Sequence, residues 1–95
     1  MTQNKPKELE IIYAKVDDTS DLVGVLIGEG KFIETWISSD LNFLRYDLTK
    51  NLGYDYKIVR ETNYNEVDNQ DLCFIIFAQI RRMMRSEKSN KGVEL

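Results

Sequence analysis

The chain has 95 residues, of which 42% are hydrophobic and 31% charged, so it has the length of one folded domain and not of two. Its formal net charge of -3 excludes the strongly basic character of a general nucleic-acid binder. A single cysteine excludes an intrachain disulfide and is typical of a reducing compartment. The longest apolar run, residues 72–78, is far shorter than the ~20 residues of a membrane span. We therefore expect a cytoplasmic protein that does not enter a membrane.

Three β-rich segments fill the first part of the chain. Residues 8–16 are largely apolar on both faces, which favours a strand inside a sheet. Residues 22–27 follow a polar turn at 17–21, and residues 31–37 follow the tight connection Gly28-Glu29-Gly30. The three segments predict an antiparallel meander.

A first helix is predicted after Ser38-Ser39-Asp40, because these side-chain oxygens can accept the free N–H groups of a first helical turn. Four leucines follow at helical spacing: Leu41, Leu44, Leu48 and Leu52. Gly53 stands where a left-handed residue would end the helix.

The remaining elements are a fourth strand and a second helix. Residues 55–61 alternate as a strand does, and Asp68 or Asn69 can cap a final helix that runs to about Arg85. The order β-β-β-α-β-α predicts an α+β domain, with an antiparallel sheet of about four strands and two helices packed on one face. We place this domain at residues 8–86 and expect flexible termini at 1–7 and 87–95.

The final helix carries more apolar surface than one side of it can bury. Helical spacing gathers one broad apolar side, made of Leu72, Cys73, Ile76, Phe77, Ile80, Met83 and Met84. The opposite side combines Phe74 and Ala78 with Arg81 and Arg85, and Ile75 and Arg82 flank it. An apolar group on a basic side predicts a contact with a second copy of the chain or with another macromolecule.

The sequence predicts no catalytic, cofactor or metal site. Histidine is absent, which removes imidazole from any nucleophilic pair and from any zinc site. Cys73 stands among apolar residues, where a core role is more common than a nucleophilic one. A small enzyme built on Asp or Glu is a further hypothesis that no spacing supports. We interpret the chain as a non-enzymatic protein.

These observations predict a protein-binding module, such as a small regulator, an inhibitor or an accessory subunit, that acts alone or as a homodimer. The partner-binding residues are predicted on the basic amphipathic helix: Phe74, Ile75, Ala78, Arg81, Arg82 and Arg85. Cations near a helix C-terminus also complement its dipole, which accounts for part of this charge. The alternative function is nucleic-acid binding through the same helix and tail. Protein contact is favoured because phosphate binding needs no apolar centre.

Overall fold

The structure is a computed structural model that describes residues 5–16 and 19–92, with backbone only for 84–92. Asp17 and Asp18 of the predicted turn lie outside these ranges, and so do residues 1–4 and 93–95. The elements are β1 (Lys7–Lys15), β2 (Leu22–Gly28), β3 (Lys31–Ser38), α1 (Leu41–Thr49), β4 (Tyr56–Asn63), a short 3₁₀ helix (Tyr64–Glu66) and α2 (Gln70–Gly92). The predicted α+β class and the order of strands and helices are confirmed.

The four strands form one sheet in the order β3-β2-β1-β4. The meander is confirmed, since β1 pairs with β2 and β2 with β3 in antiparallel fashion. The prediction of a purely antiparallel sheet is wrong, because β4 pairs with β1 in parallel, with Leu9 beside Ile58. The cause is α1, which returns the chain to the starting end of β3, so that β4 runs in the same direction as β3 and β1. The sheet is mixed.

The two helices cover opposite faces of this sheet, which corrects the prediction of one shared face. On one face α1 packs on the sheet and forms a cluster of Leu9, Ile11, Leu26, Leu44 and Leu48. On the other face α2 contributes to a cluster of Ile12, Val23, Val25, Ile27, Ile76 and Ile80. Because side chains alternate along a strand, the apolar β1 and β2 present buried residues to both faces, and each face needs its own cover.

The helix ends follow local hydrogen bonding. Asp40 caps α1, since the Phe43 N–H donates to its Oδ1 at 2.9 Å. Asn69 caps α2 as predicted, and its Oδ1 accepts from the Leu72 N–H at 3.0 Å. The predicted role of Gly53 is wrong, because α1 ends at Thr49 and the only described glycine with a positive φ is Gly30. Helix α2 continues to Gly92 and does not end near Arg85.

Candidate protein-contact surface

Helix α2 has one side that belongs to the core. Ile76 and Ile80 are buried against β2 and β3, and Leu72 and Met83 pack at the border of the same cluster. Cys73 is half-buried and its thiol donates to the Val67 carbonyl at 3.4 Å. These contacts agree with a core role for this side of the helix.

The opposite side of α2 faces solvent. We call Phe74, Ile75, Ala78, Arg81 and Arg82 the outer face of α2, and all five are exposed. Phe74 exposes 74% of its surface and Ile75 exposes 48%. The structure therefore brings five of the six residues predicted for partner binding together on one surface. The side chains of Arg85 and of Met84 lie outside the described part of the chain.

Phe77 was predicted on the core side, and this prediction is wrong, since 44% of its surface is exposed. It lies one residue after the fully buried Ile76, hence about 100° around the helix, at the edge of the buried side. There its ring stacks on that of Tyr64, with the two centroids 6.5 Å apart, and the Arg81 guanidinium lies 5.5 Å from the Phe77 centroid. Stacking and cation–π contact hold these three side chains together.

A shallow groove of about 390 Å³ runs beside these rings and is lined by Tyr64, Gln70, Cys73, Phe74 and Phe77. Four of these residues belong to α2, and the 3₁₀ helix contributes Tyr64. Sequence reasoning missed Tyr64, because it stands in a polar connector where no periodicity marks a contact. The groove extends the outer face of α2 with aromatic surface.

The charge on this side of α2 changes along the helix. Asp71 is exposed in the first turn, and residues 72–86 contain no acidic residue. Within the described residues, neither Arg81 nor Arg82 lies within ion-pair distance of a carboxylate. The outer face thus follows an acidic first turn, begins with apolar residues and ends with basic ones.

The shortest described ion pair lies on the other side of the sheet and joins α1 to β4. The Arg45 Nε donates to Glu61 Oε2 at 2.6 Å, and this hydrogen bond raises the pKa of the Arg45 guanidinium. Both side chains are partly exposed, so the pair contributes little to stability, about 0.2–1 kcal/mol. Because the pair joins α1 to β4, we interpret it as a structural contact.

The described ranges contain no group of three cysteine, aspartate or glutamate side chains that is close enough to hold a metal ion. None of their helices combines the length and the apolar character that crossing a bilayer requires.

Comparison with known proteins finds no family model that matches the chain, and neither a curated protein nor a solved structure that is similar to it.

Proposed function

We propose that this chain is a non-enzymatic protein-binding module that contacts its partner through the outer face of α2. The observation that carries the proposal is the exposure of Phe74, which is the first residue of that face and has 74% of its surface in solvent. Burial of such a side chain contributes about 1.5–3 kcal/mol, which the isolated chain leaves unused. A bound partner that covers Phe74 would gain this free energy.

The surroundings of Phe74 support this role. Ile75 and Phe77 add exposed apolar surface, and Arg81 and Arg82 stand one to two turns further along the helix. Aromatic and arginine side chains are the residues that most often dominate the energy of protein interfaces. The arrangement fits a small regulator, inhibitor or accessory subunit that acts by covering a surface of its partner, and a cytoplasmic location would suit this role.

Nucleic-acid binding is the competing function, and the same surface argues against it. Contacts to phosphate need cations and impose no apolar centre, whereas here the most exposed large apolar side chain on the described part of the helix is a phenylalanine. Binding through phosphates would fall steeply with salt, because each contact releases counterions. Binding through Phe74 would depend weakly on salt.

A photo-crosslinking phenylalanine analogue at position 74 tests the proposal. We expect it to form a discrete protein adduct in a lysate of the native cells and in concentrated purified chain. The matched control is the same analogue at Phe43, which is 58% exposed on α1. Unlabelled wild-type chain and Phe43→Glu should compete for the adduct, while Phe74→Glu combined with Arg81→Glu should not.

Two results would contradict the proposal. One is equal crosslinking at positions 74 and 43, which would mark non-specific contact. The other is an adduct at position 74 that nuclease removes and that disappears steeply with salt, which would favour the nucleic-acid alternative.

A further inference from the structure

We propose that the partner of the outer face of α2 is a second copy of this chain, paired through an antiparallel contact of the two α2 helices. This inference rests on the function proposed above and names the occupant of its surface. In the pair, Asp71 faces the second copy's Arg81, and Phe74 faces the second copy's Ala78. The twofold axis then passes the helix at the level of Ile76, on the side away from the core.

The spacing of the exposed residues supports this register. Asp71, Phe74, Ala78 and Arg81 follow each other at intervals of three, four and three residues, so they form one straight stripe along the helix. All four are exposed. In an antiparallel pair, residues at equal distances on either side of the axis face each other. Asp71 and Arg81 are each five residues from Ile76, and Phe74 and Ala78 are each two residues from it.

The chemistry of the facing residues is complementary. An acidic side chain meets a basic one twice, once at each end of the contact. In the centre of the contact, the Phe74 ring of each copy packs on the Ala78 methyl group of the other. Because alanine is small, the two helices can approach closely and still leave room for the ring. The macrodipoles of antiparallel helices also place opposite partial charges beside each other.

A second copy explains more of the surface than an unrelated acidic partner does. An acidic partner would account for Arg81 and Arg82, but it would be repelled by Asp71 at the other end of the same stripe. With Asp71 at the start of the stripe and Arg81 at its end, a complementary partner has a cation opposite Asp71 and an acid opposite Arg81. A second copy of the chain in antiparallel orientation has this arrangement.

The contact is short, so the dimer should be weak. Residues 70–82 extend about 20 Å along the helix axis, and the paired surface falls below the ~1,600 Å² of a standard interface. We expect a monomer–dimer equilibrium with a dissociation constant in the range of about 10–100 μM, well short of an obligate dimer.

A charge-swap cycle on the full chain, followed by sedimentation equilibrium from about 5 μM to 1 mM, tests the pairing. Asp71→Arg and Arg81→Glu each place like charges opposite one another at both ends of the contact, so each should weaken the dimer about tenfold. The double variant restores opposite charges with reversed sign and should return to within about threefold of the wild-type dissociation constant.

The double variant is its own control for folding. Asp71→Arg removes a favourable charge from the first turn of α2, and Arg81→Glu removes the cation beside Phe77. Both changes persist in the double variant, so recovered dimerisation has to come from the contact between copies. Circular dichroism of all four proteins verifies that helix content is equal.

The inference is overturned if the wild-type chain stays monomeric at 1 mM, or if the double variant is as impaired as the single ones. These results are distinct from failure of the proposed function. A monomeric chain whose position 74 still crosslinks to a different protein refutes the dimer and leaves the binding function standing. A chain that shows neither association nor adduct refutes both.

Discussion

Thr35 lies on β3 with a buried hydroxyl that has no hydrogen-bond partner among the described residues. A buried polar atom without a partner costs about 1–3 kcal/mol of desolvation. We expect Thr35→Val to raise the free energy of unfolding by about 1 kcal/mol, since valine has nearly the same shape and suits a strand equally well. Urea denaturation of both proteins measures the change. Thr19→Val is the opposite case, because the Thr19 hydroxyl is hydrogen-bonded to Val16 and Asp21, and it should lower the free energy of unfolding. A loss of stability would show that the Thr35 hydroxyl has a partner.

The outer face of α2 shows how far sequence reasoning reaches for single side chains. Phe74 and Ala78 are about 160° from the buried Ile76 around a helix, so helical spacing alone predicts their exposure. Phe77 is only about 100° from Ile76, where spacing cannot decide between burial and exposure. The sheet beneath decides it, because α2 lies over β2 and β3, and Tyr64 occupies the flank.

Helix α1 depends on the residue that precedes it. Asp40 has an extended backbone and accepts the Phe43 N–H, which satisfies one of the N–H groups that an isolated helix start leaves free. Asp40→Ala should lower the free energy of unfolding by about 1 kcal/mol, whereas Asp40→Asn should keep most of the stability, because the amide oxygen can still accept. Thermal unfolding followed by circular dichroism measures both. Equal losses in the two variants would contradict a capping role.

The two ends of α1 were not equally predictable. The start carries a chemical signal, the side-chain acceptors of Ser38-Ser39-Asp40, and the structure confirms a helix start there with Asp40 as the cap. The predicted end rests on Gly53 and on the leucine spacing, which continues to Leu52 although the helix stops at Thr49. Leu52 still packs beside the same cluster as Leu44 and Leu48, but it does so from the loop. The spacing of apolar residues predicts which side chains reach the core. It does not predict whether the backbone at those positions is helix or loop.

The position of a strand in the sheet and its direction were predictable to different degrees. Apolar residues on both faces of β1 predicted a central strand, and the structure places β1 between β2 and β4. Apolar residues on both faces of β1 also imply that both faces of the sheet are covered. The sequence does not indicate which helix covers which face. The parallel direction of β4 follows from the course of the chain through α1, which strand composition does not encode.

This topology separates local contacts from distant ones and predicts an order of folding. The hairpins β1–β2 and β2–β3 join neighbouring segments, whereas β4 pairs with β1 across most of the domain. Loop closure makes distant pairing the slower event. Val25→Ala in the meander should therefore mainly slow folding, while Ile58→Ala on β4 should mainly speed unfolding.

Stopped-flow folding and unfolding rates over a range of urea concentrations provide the measurement. Each substitution removes apolar contacts and should cost more than the ~0.6 kcal/mol that such a comparison needs. A larger effect of Ile58→Ala on the folding rate than of Val25→Ala would reverse the proposed order.

The parallel closure by β4 also matters during synthesis of the protein. Until residues 56–63 have left the ribosome, the hydrogen-bonding edge of β1 that they will occupy stays open. At about 5–20 residues per second, the interval between the end of β1 and the end of β4 lasts roughly 2–10 s. Throughout that time the nascent chain offers the edge of Lys7–Tyr13 as a template to which another unpaired segment can add. A chaperone that shields this edge until β4 is complete should therefore limit strand addition between nascent chains.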